Sequence, residues 1–127
     1  MRKVETASAP LPVGPYSQAI VHGDLVFCSG QIPLDPKTGA LITGEIEAQV
    51  ERVLDNLRAV LEAAGSGMDR VLRTTIYVTD LSLFARVNRV YGRYFPDVAP
   101  ARATVQVAAL PLGALVEIDA IAVASRA

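Results

Sequence analysis

Between residues 45 and 64, Ile46, Val50, Val53, Leu54, Leu57, Val60, Leu61 and Ala64 recur at three- and four-residue spacing, while Glu47, Glu51, Arg52, Asp55, Arg58 and Glu62 fall mostly elsewhere around the cylinder. That pattern predicts an amphipathic helix with Thr43 near its start and Gly65 at its stop. Upstream, "AIVHGDLVFCSG" holds two apolar runs around His22-Gly23-Asp24. These predict strands at about 17–22 and 25–30 joined by a tight turn. Pro33 and Asp35-Pro36-Lys37-Thr38-Gly39 carry the chemistry of a loop. Past the helix, "VLRTTIYVT", 71–79, is β-branched and alternating, hence a strand. Asp80 is placed to cap a second helix over about 81–95, with Leu81, Phe84, Val87, Tyr91, Tyr94 and Phe95 on its apolar side. Strands at 103–110 and 115–124 follow, joined as a hairpin by Pro111-Leu112-Gly113-Ala114.

The order ββαβαββ, with room for a further strand at 2–6, predicts an α+β layer with both helices on one face of a sheet. The last strand also bears on assembly. One of its faces carries Leu115, Glu117, Asp119, Ile121 and Val123, the other Val116, Ile118, Ala120 and Ala122. Both are largely apolar, so the face away from the helices needs a cover, and a second copy of the chain is the simplest one. Composition points the same way: 51% of residues are hydrophobic in a chain of 127, a length that suits one domain, 1–127, with limited interior.

Charge and residue counts remove several function classes. Twelve Lys+Arg against 13 Asp+Glu give a net charge of −1, which disfavours nucleic acid and anionic membrane as partners. The opening "MRKVETASAP" lacks the apolar stretch of a signal peptide, and no run approaches the roughly 18 apolar residues of a membrane span. A soluble, cytoplasmic protein is expected. One cysteine, Cys28, allows no internal disulfide, and one histidine, His22, leaves no cluster for a metal. Cys28 lies in an apolar strand and reads as a small core residue. Ser17 and Ser29 have no histidine to activate them, and "GSG", 65–67, lacks the lysine of a phosphate loop.

The candidate chemistry centres on Arg102, which opens "PARATVQVAALP" and is followed by no further charge until Glu117. A hairpin at 111–114 would put Thr104 and Gln106 on one face with Glu117 and Asp119. Arg102 would then lie six positions before the partner of Glu117, about 20 Å along a strand. If both belong to one site, that site crosses a subunit boundary. Taken singly, Arg102 reads as a strand-end arginine paired to a carboxylate or spread over apolar surface, and Glu117 as half of an ion pair. Tyr16 reads as a packed tyrosine and Asn88 as a polar helix position.

The arrangement of "PARATVQVAALPLGALVEI" closely resembles the signature of the RidA (YjgF) family of reactive intermediate deaminases, and "VGPYSQAI", "FCSGQIPLDPKTG", "LDNLRAVLEAAG" and "RTTIYVTDLSLFARVNRVY" are similar to its other segments in the same order. The resemblance implies a chorismate-mutase-like α+β fold, a homotrimer with clefts between subunits, and no cofactor. The implied activity is hydrolysis of 2-imino acids, derived from the enamines that pyridoxal-phosphate dehydratases release, to 2-keto acids and ammonia. By position it implies Arg102 as the carboxylate clamp and Glu117 as the holder of the attacking water. Tyr16, Ser29, Gly30, Asn88 and Thr104 are implied as cleft lining. Relatives often carry cysteine where this chain has Thr104, so a thiol-dependent function does not carry over.

A guanidinium suits the implied substrate, because its flat fork of donors grips both carboxylate oxygens and stays charged. Two other functions compete. One is a non-catalytic sensor of 2-keto acids or similar carboxylates, which needs the same clamp. The other is an RNA-acting protein, either a ribonuclease or a translation inhibitor, for which Arg86, Arg89 and Arg93 would form a stripe on the second helix.

Overall fold

A computed structural model describes residues 1–124. Six strands form one mixed sheet: β1 (Arg2–Val4), β2 (Ala19–His22), β3 (Leu25–Gln31), β4 (Val71–Val78), β5 (Ala101–Gln106) and β6 (Val116–Val123). Their spatial order is β1-β2-β3-β6-β4-β5. Helices α1 (Ile46–Ala63) and α2 (Phe84–Tyr94) lie on one face of it. The predicted α+β layer and the further N-terminal strand are therefore present. His22 pairs with Leu25 across Gly23-Asp24, with Gly23 at φ 59°, as the tight turn requires.

α1 buries Ile46, Val50, Val53, Leu54, Leu57, Val60 and Leu61 along the predicted stripe. Its end follows the sequence signal: Gly65 is left-handed at φ 80°, Ser66 N–H donates to the Leu61 carbonyl at 2.8 Å and Gly65 N–H to Glu62 at 3.1 Å. That is the paired closure of a Schellman end. Its start differs. Glu45, and not Thr43, occupies the N-cap position, and no side chain caps the helix there. Negative charge in the first turn takes the place of the cap: Glu47 sits there and receives Arg86 from α2. The second helix is also shorter than predicted. Asp80 does cap, accepting from Ser82 N–H at 2.9 Å, but the turn it starts is a 3-10 turn at Leu81–Leu83 that precedes α2.

The C-terminal topology overturns one expectation. β5 and β6 do not form a hairpin. β5 is an edge strand parallel to β4, whereas β6 runs antiparallel between β4 and β3. The strand–helix–strand run β4–α2–β5 fixes this, because a crossover helix returns the chain parallel to where it began. β6 then takes the central slot, where its inner face can be buried: Val116, Ile118, Ala120 and Ala122 all are. Its outer face, carrying Glu117, Asp119, Ile121 and Val123, is half-buried. The same outer surface exposes Leu25, Phe27 and Val105. Among the described residues no helix is long and apolar enough to cross a membrane.

Candidate functional site

The predicted site residues fall into two groups on opposite faces of the sheet. The first is built on a bulge in β3. Cys28 pairs with Ala120 and Gln31 with Ile118, so one extra residue is accommodated at Ser29-Gly30. A bulge interrupts the ladder and re-aims the backbone. Ser29 takes its hydrogen bonds elsewhere, its N–H donating to the Gln18 carbonyl at 3.0 Å and its hydroxyl to the Ser17 carbonyl at 2.5 Å. Gly30 comes so close to Glu117 that a Cβ there would overlap the carboxylate. Ser29, Gly30, Glu117 and Tyr16 line a cleft of about 540 Å³.

The far wall of that cleft is the N-terminal segment, held in place by one buried amide. Gln18 accepts from Thr6 N–H at 2.8 Å and donates to the carbonyls of Thr6 at 3.0 Å and Pro10 at 2.8 Å. Sequence reasoning missed Gln18, and its only signal was a polar residue entering a strand. Tyr16 stands at the rim, where its hydroxyl accepts from Val13 N–H at 3.4 Å.

Burial pushes the Glu117 carboxyl above the ordinary carboxylate range, and the neighbouring Asp119 adds to the shift. Tyr77, opposite Glu117 in the ladder, donates its hydroxyl to Asp119 at 3.0 Å. Cys28 faces the core and is buried, its thiol pushed up to about 12 chiefly by burial. It is no nucleophile at neutral pH.

The second group lies at the sheet edge beneath α2. Arg102 is paired with Thr74 in the parallel ladder, and Thr104 with Ile76. Both side chains therefore share the helix-facing side with the buried Thr74 and Ile76. The expectation that Thr104 and Gln106 share a face with Glu117 and Asp119 is wrong, because it assumed the hairpin. The Arg102 guanidinium packs over two rings, 4.9 Å from the centroid of Tyr91 and 5.4 Å from that of Phe84. It has no carboxylate partner among the described residues. The Tyr91 ring is itself fixed, its hydroxyl 2.7 Å from that of buried Thr74. One helical turn from both rings, Asn88 contributes a buried Oδ1 that has no hydrogen-bond partner, and Thr104 Oγ1 is likewise buried and unpartnered. Such orphans are rare in a native interior and mark a place where a partner is expected.

The two groups do not meet within one chain. Val105 is level with Tyr77 and Glu117, so Arg102 lies three residues along and two strands across from Glu117, about 10 Å in each direction. The sheet also separates their side chains. The register replaces the six-position offset expected from a hairpin and leaves the separation standing. The arginine stripe on α2 is in part neutralised, since Arg86 donates to Glu45 at 2.6 Å and to Glu47 at 2.7 and 2.8 Å.

Fold and site together define an α+β protein with two helices layered on a mixed six-stranded sheet, a carboxylate-bearing cleft on the open face and, at the edge, a guanidinium with no carboxylate partner among the described residues. A family model described as Endoribonuclease L-PSP matches residues 6–124. Protein DfrA of Myxococcus xanthus is 56% identical over 124 residues, 96% of this chain and 95% of that one. Reactive Intermediate Deaminase A, chloroplastic, of Arabidopsis thaliana is 49% identical over 119 residues, 94% of this chain and 64% of that protein. The crystal structure of E. coli TdcF with bound serine superimposes with a TM-score of 0.93 at 39% identity, covering 98% of this chain and 100% of that one. The chain belongs to the RidA/YjgF family.

Proposed function

We propose that the protein hydrolyses reactive 2-imino acids to 2-keto acids and ammonia, at sites formed between copies of the chain in a homotrimer. The observation that carries this reading is Arg102: a guanidinium with no carboxylate partner among the described residues, packed over two rings of α2, with two unpartnered buried oxygens on the same strand and helix. A planar carboxylate is the ligand that such a fork accepts. The serine in the TdcF structure is a small ligand with that group, and the Arabidopsis relative's name gives the reaction class.

In this reading Arg102 of one copy grips the substrate carboxylate at the cleft of a second copy, where Glu117 holds water. The protonated imine is already a good electrophile. Glu117 takes a proton as the water oxygen bonds to C2 and the C=N electron pair moves to nitrogen. It then returns a proton to nitrogen, and as the tetrahedral intermediate collapses the C2 hydroxyl gives its proton to Glu117, the C–N bond breaks to release ammonia and the C2 carbonyl forms. A carboxyl raised toward neutrality by burial suits these transfers. Asn88 and Thr104 line the arginine side of the site, and Tyr16, Ser29 and Gly30 the glutamate side. Arg86, engaged by two glutamates, weakens the case for an RNA-binding stripe.

The test is keto-acid and ammonia release when purified protein is added to a threonine dehydratase acting on threonine or serine, with the spontaneous rate subtracted. Wild type should accelerate release, and Arg102→Ala and Glu117→Ala should not. If the protein leaves the rate unchanged while imine accumulates, yet binds 2-keto acids through Arg102, it is a carboxylate sensor and the hydrolase reading falls.

A further inference from the structure

Leu112 is the one described non-glycine residue with a positive φ, at φ 59° and ψ 17°. With Gly113, at φ 77°, it forms the centre of a turn closed by Ala114 N–H donating to the Pro111 carbonyl at 3.1 Å. Both central residues are left-handed, as in a type I′ turn. Such turns select asparagine, aspartate or glycine at the first centre, because a Cβ there crowds the following carbonyl oxygen, which glycine avoids and the short polar side chains offset with local hydrogen bonds. Gly113 meets that demand at the second centre, and a leucine opposes it at the first. Packing does not compensate, since Leu112 is 67% exposed. A strained backbone carrying an exposed apolar side chain points to a function outside the chain's own stability.

The place of that side chain says which function. Leu112 lines the cleft that holds Glu117, together with Leu11 and Val13 of the N-terminal segment, which are 64% and 81% exposed. Three exposed aliphatic side chains thus border one opening beside a carboxylate. We infer that Leu112 is a specificity-determining residue, forming with Leu11 and Val13 an apolar wall for the substrate's side chain. The preferred substrates are then 2-imino acids with a branched aliphatic side chain, such as the imine of leucine, over the imine of alanine. This rests on the hydrolase reading above. An apolar wall of this kind discriminates by roughly tenfold or more between side chains that differ by a methylene or several.

The experiment generates each imine in place with an amino-acid oxidase acting on leucine or alanine and follows its loss to hydrolysis against semicarbazide trapping. Wild type is compared with Leu112→Gly, which relaxes the turn, and Leu112→Asn, which keeps a side chain that tolerates it. The expected result is a preference of tenfold or more for the leucine-derived imine, falling to within threefold in both variants. No preference in wild type, or one unchanged in both variants, overturns the inference. If neither imine is hydrolysed, affinities for 4-methyl-2-oxopentanoate and pyruvate decide. A tenfold preference for the larger acid that both variants lose upholds the wall and sinks only the hydrolase reading; equal affinities sink the wall. Sedimentation of the variants supplies the last check. A changed oligomeric state in both would mean that Leu112 packs against another copy, which also overturns the inference.

Discussion

Gly30→Ala separates the position of the Glu117 carboxylate from the folding of the chain. A Cβ built at Gly30 lies 2.8 Å from Glu117 Cδ and 3.0 Å from Cγ, with one carboxylate oxygen closer still, whereas ordinary contacts begin near 3.4 Å. Gly30 is outside the left-handed region, so alanine meets no backbone strain there. The three atoms nearest the methyl group all belong to one half-exposed side chain that can swing away. Folding should therefore be affected little: lost unfolded-state entropy stabilises by about 0.4–1 kcal/mol, which offsets the rotamer change. The net effect should stay within about 1 kcal/mol, or about 4 °C in Tm for a chain of this size. The carboxylate, however, is moved by about 1 Å, a misplacement on the scale that costs about a hundredfold in rate. The assay pairs thermal unfolding at matched protein concentration with imine hydrolysis. Activity within threefold of wild type would refute the role of the Glu117 position. A Tm drop far beyond 4 °C would refute the claim that the side chain yields.

Two further outcomes follow from the same geometry. Burial and Asp119 raise the Glu117 pKa above its ordinary 4.5, so the folded protein holds this proton more tightly than the unfolded chain. The associated stability is fully present below the unfolded value and is lost as pH rises through the folded one. Glu117→Gln, which does not titrate, should gain Tm relative to wild type as pH goes from 4 to 8 while losing turnover; a pH-independent difference would count against the burial argument. At the other group, Tyr91→Phe and Thr74→Val each orphan one buried hydroxyl and should each destabilise by about 1–3 kcal/mol. The double variant should cost about 1 kcal/mol less than the sum of the two, measured by urea unfolding, and strict additivity would show that the hydroxyls do not interact.

How far the sequence reached depends on the range of the physics involved. α1 was legible because eight apolar positions share one periodic stripe, and the first hairpin because Gly23-Asp24 dictates a local turn. The β5–β6 pairing was misread because nearness in sequence was taken for nearness in the sheet. The signal for the true arrangement was present, since a strand, a helix and a strand joined by short loops favour parallel return. Arg102, Glu117 and the residues about them could be named from the sequence, but what holds them could not. Tyr91 reads as one more apolar helix position until Thr74 fixes its ring beneath the guanidinium. Leu112 reads as ordinary turn sequence until its φ is known. Both depend on dihedrals or contacts between distant segments, which periodicity does not encode.

The separation of the two half-sites leads to a prediction that needs no knowledge of the substrate's side chain. Arg102 and Glu117 lie on opposite faces of one sheet and about 10 Å apart in each of two directions. A single copy of the chain therefore does not bring the two together. If a working site takes Arg102 from one copy and Glu117 from the next, Arg102→Ala and Glu117→Ala are each inactive alone but complementary when subunits are exchanged. In a closed ring with random mixing at equal amounts, each boundary joins an intact arginine to an intact glutamate about a quarter of the time. Co-refolding the two variants should therefore restore about a quarter of wild-type activity, and simple mixing without subunit exchange should restore none. Activity that stays at background after exchange, with oligomers shown to be mixed, would mean that both residues must come from one chain. That outcome would overturn the cross-boundary site, because the sheet holds the two side chains apart within one copy.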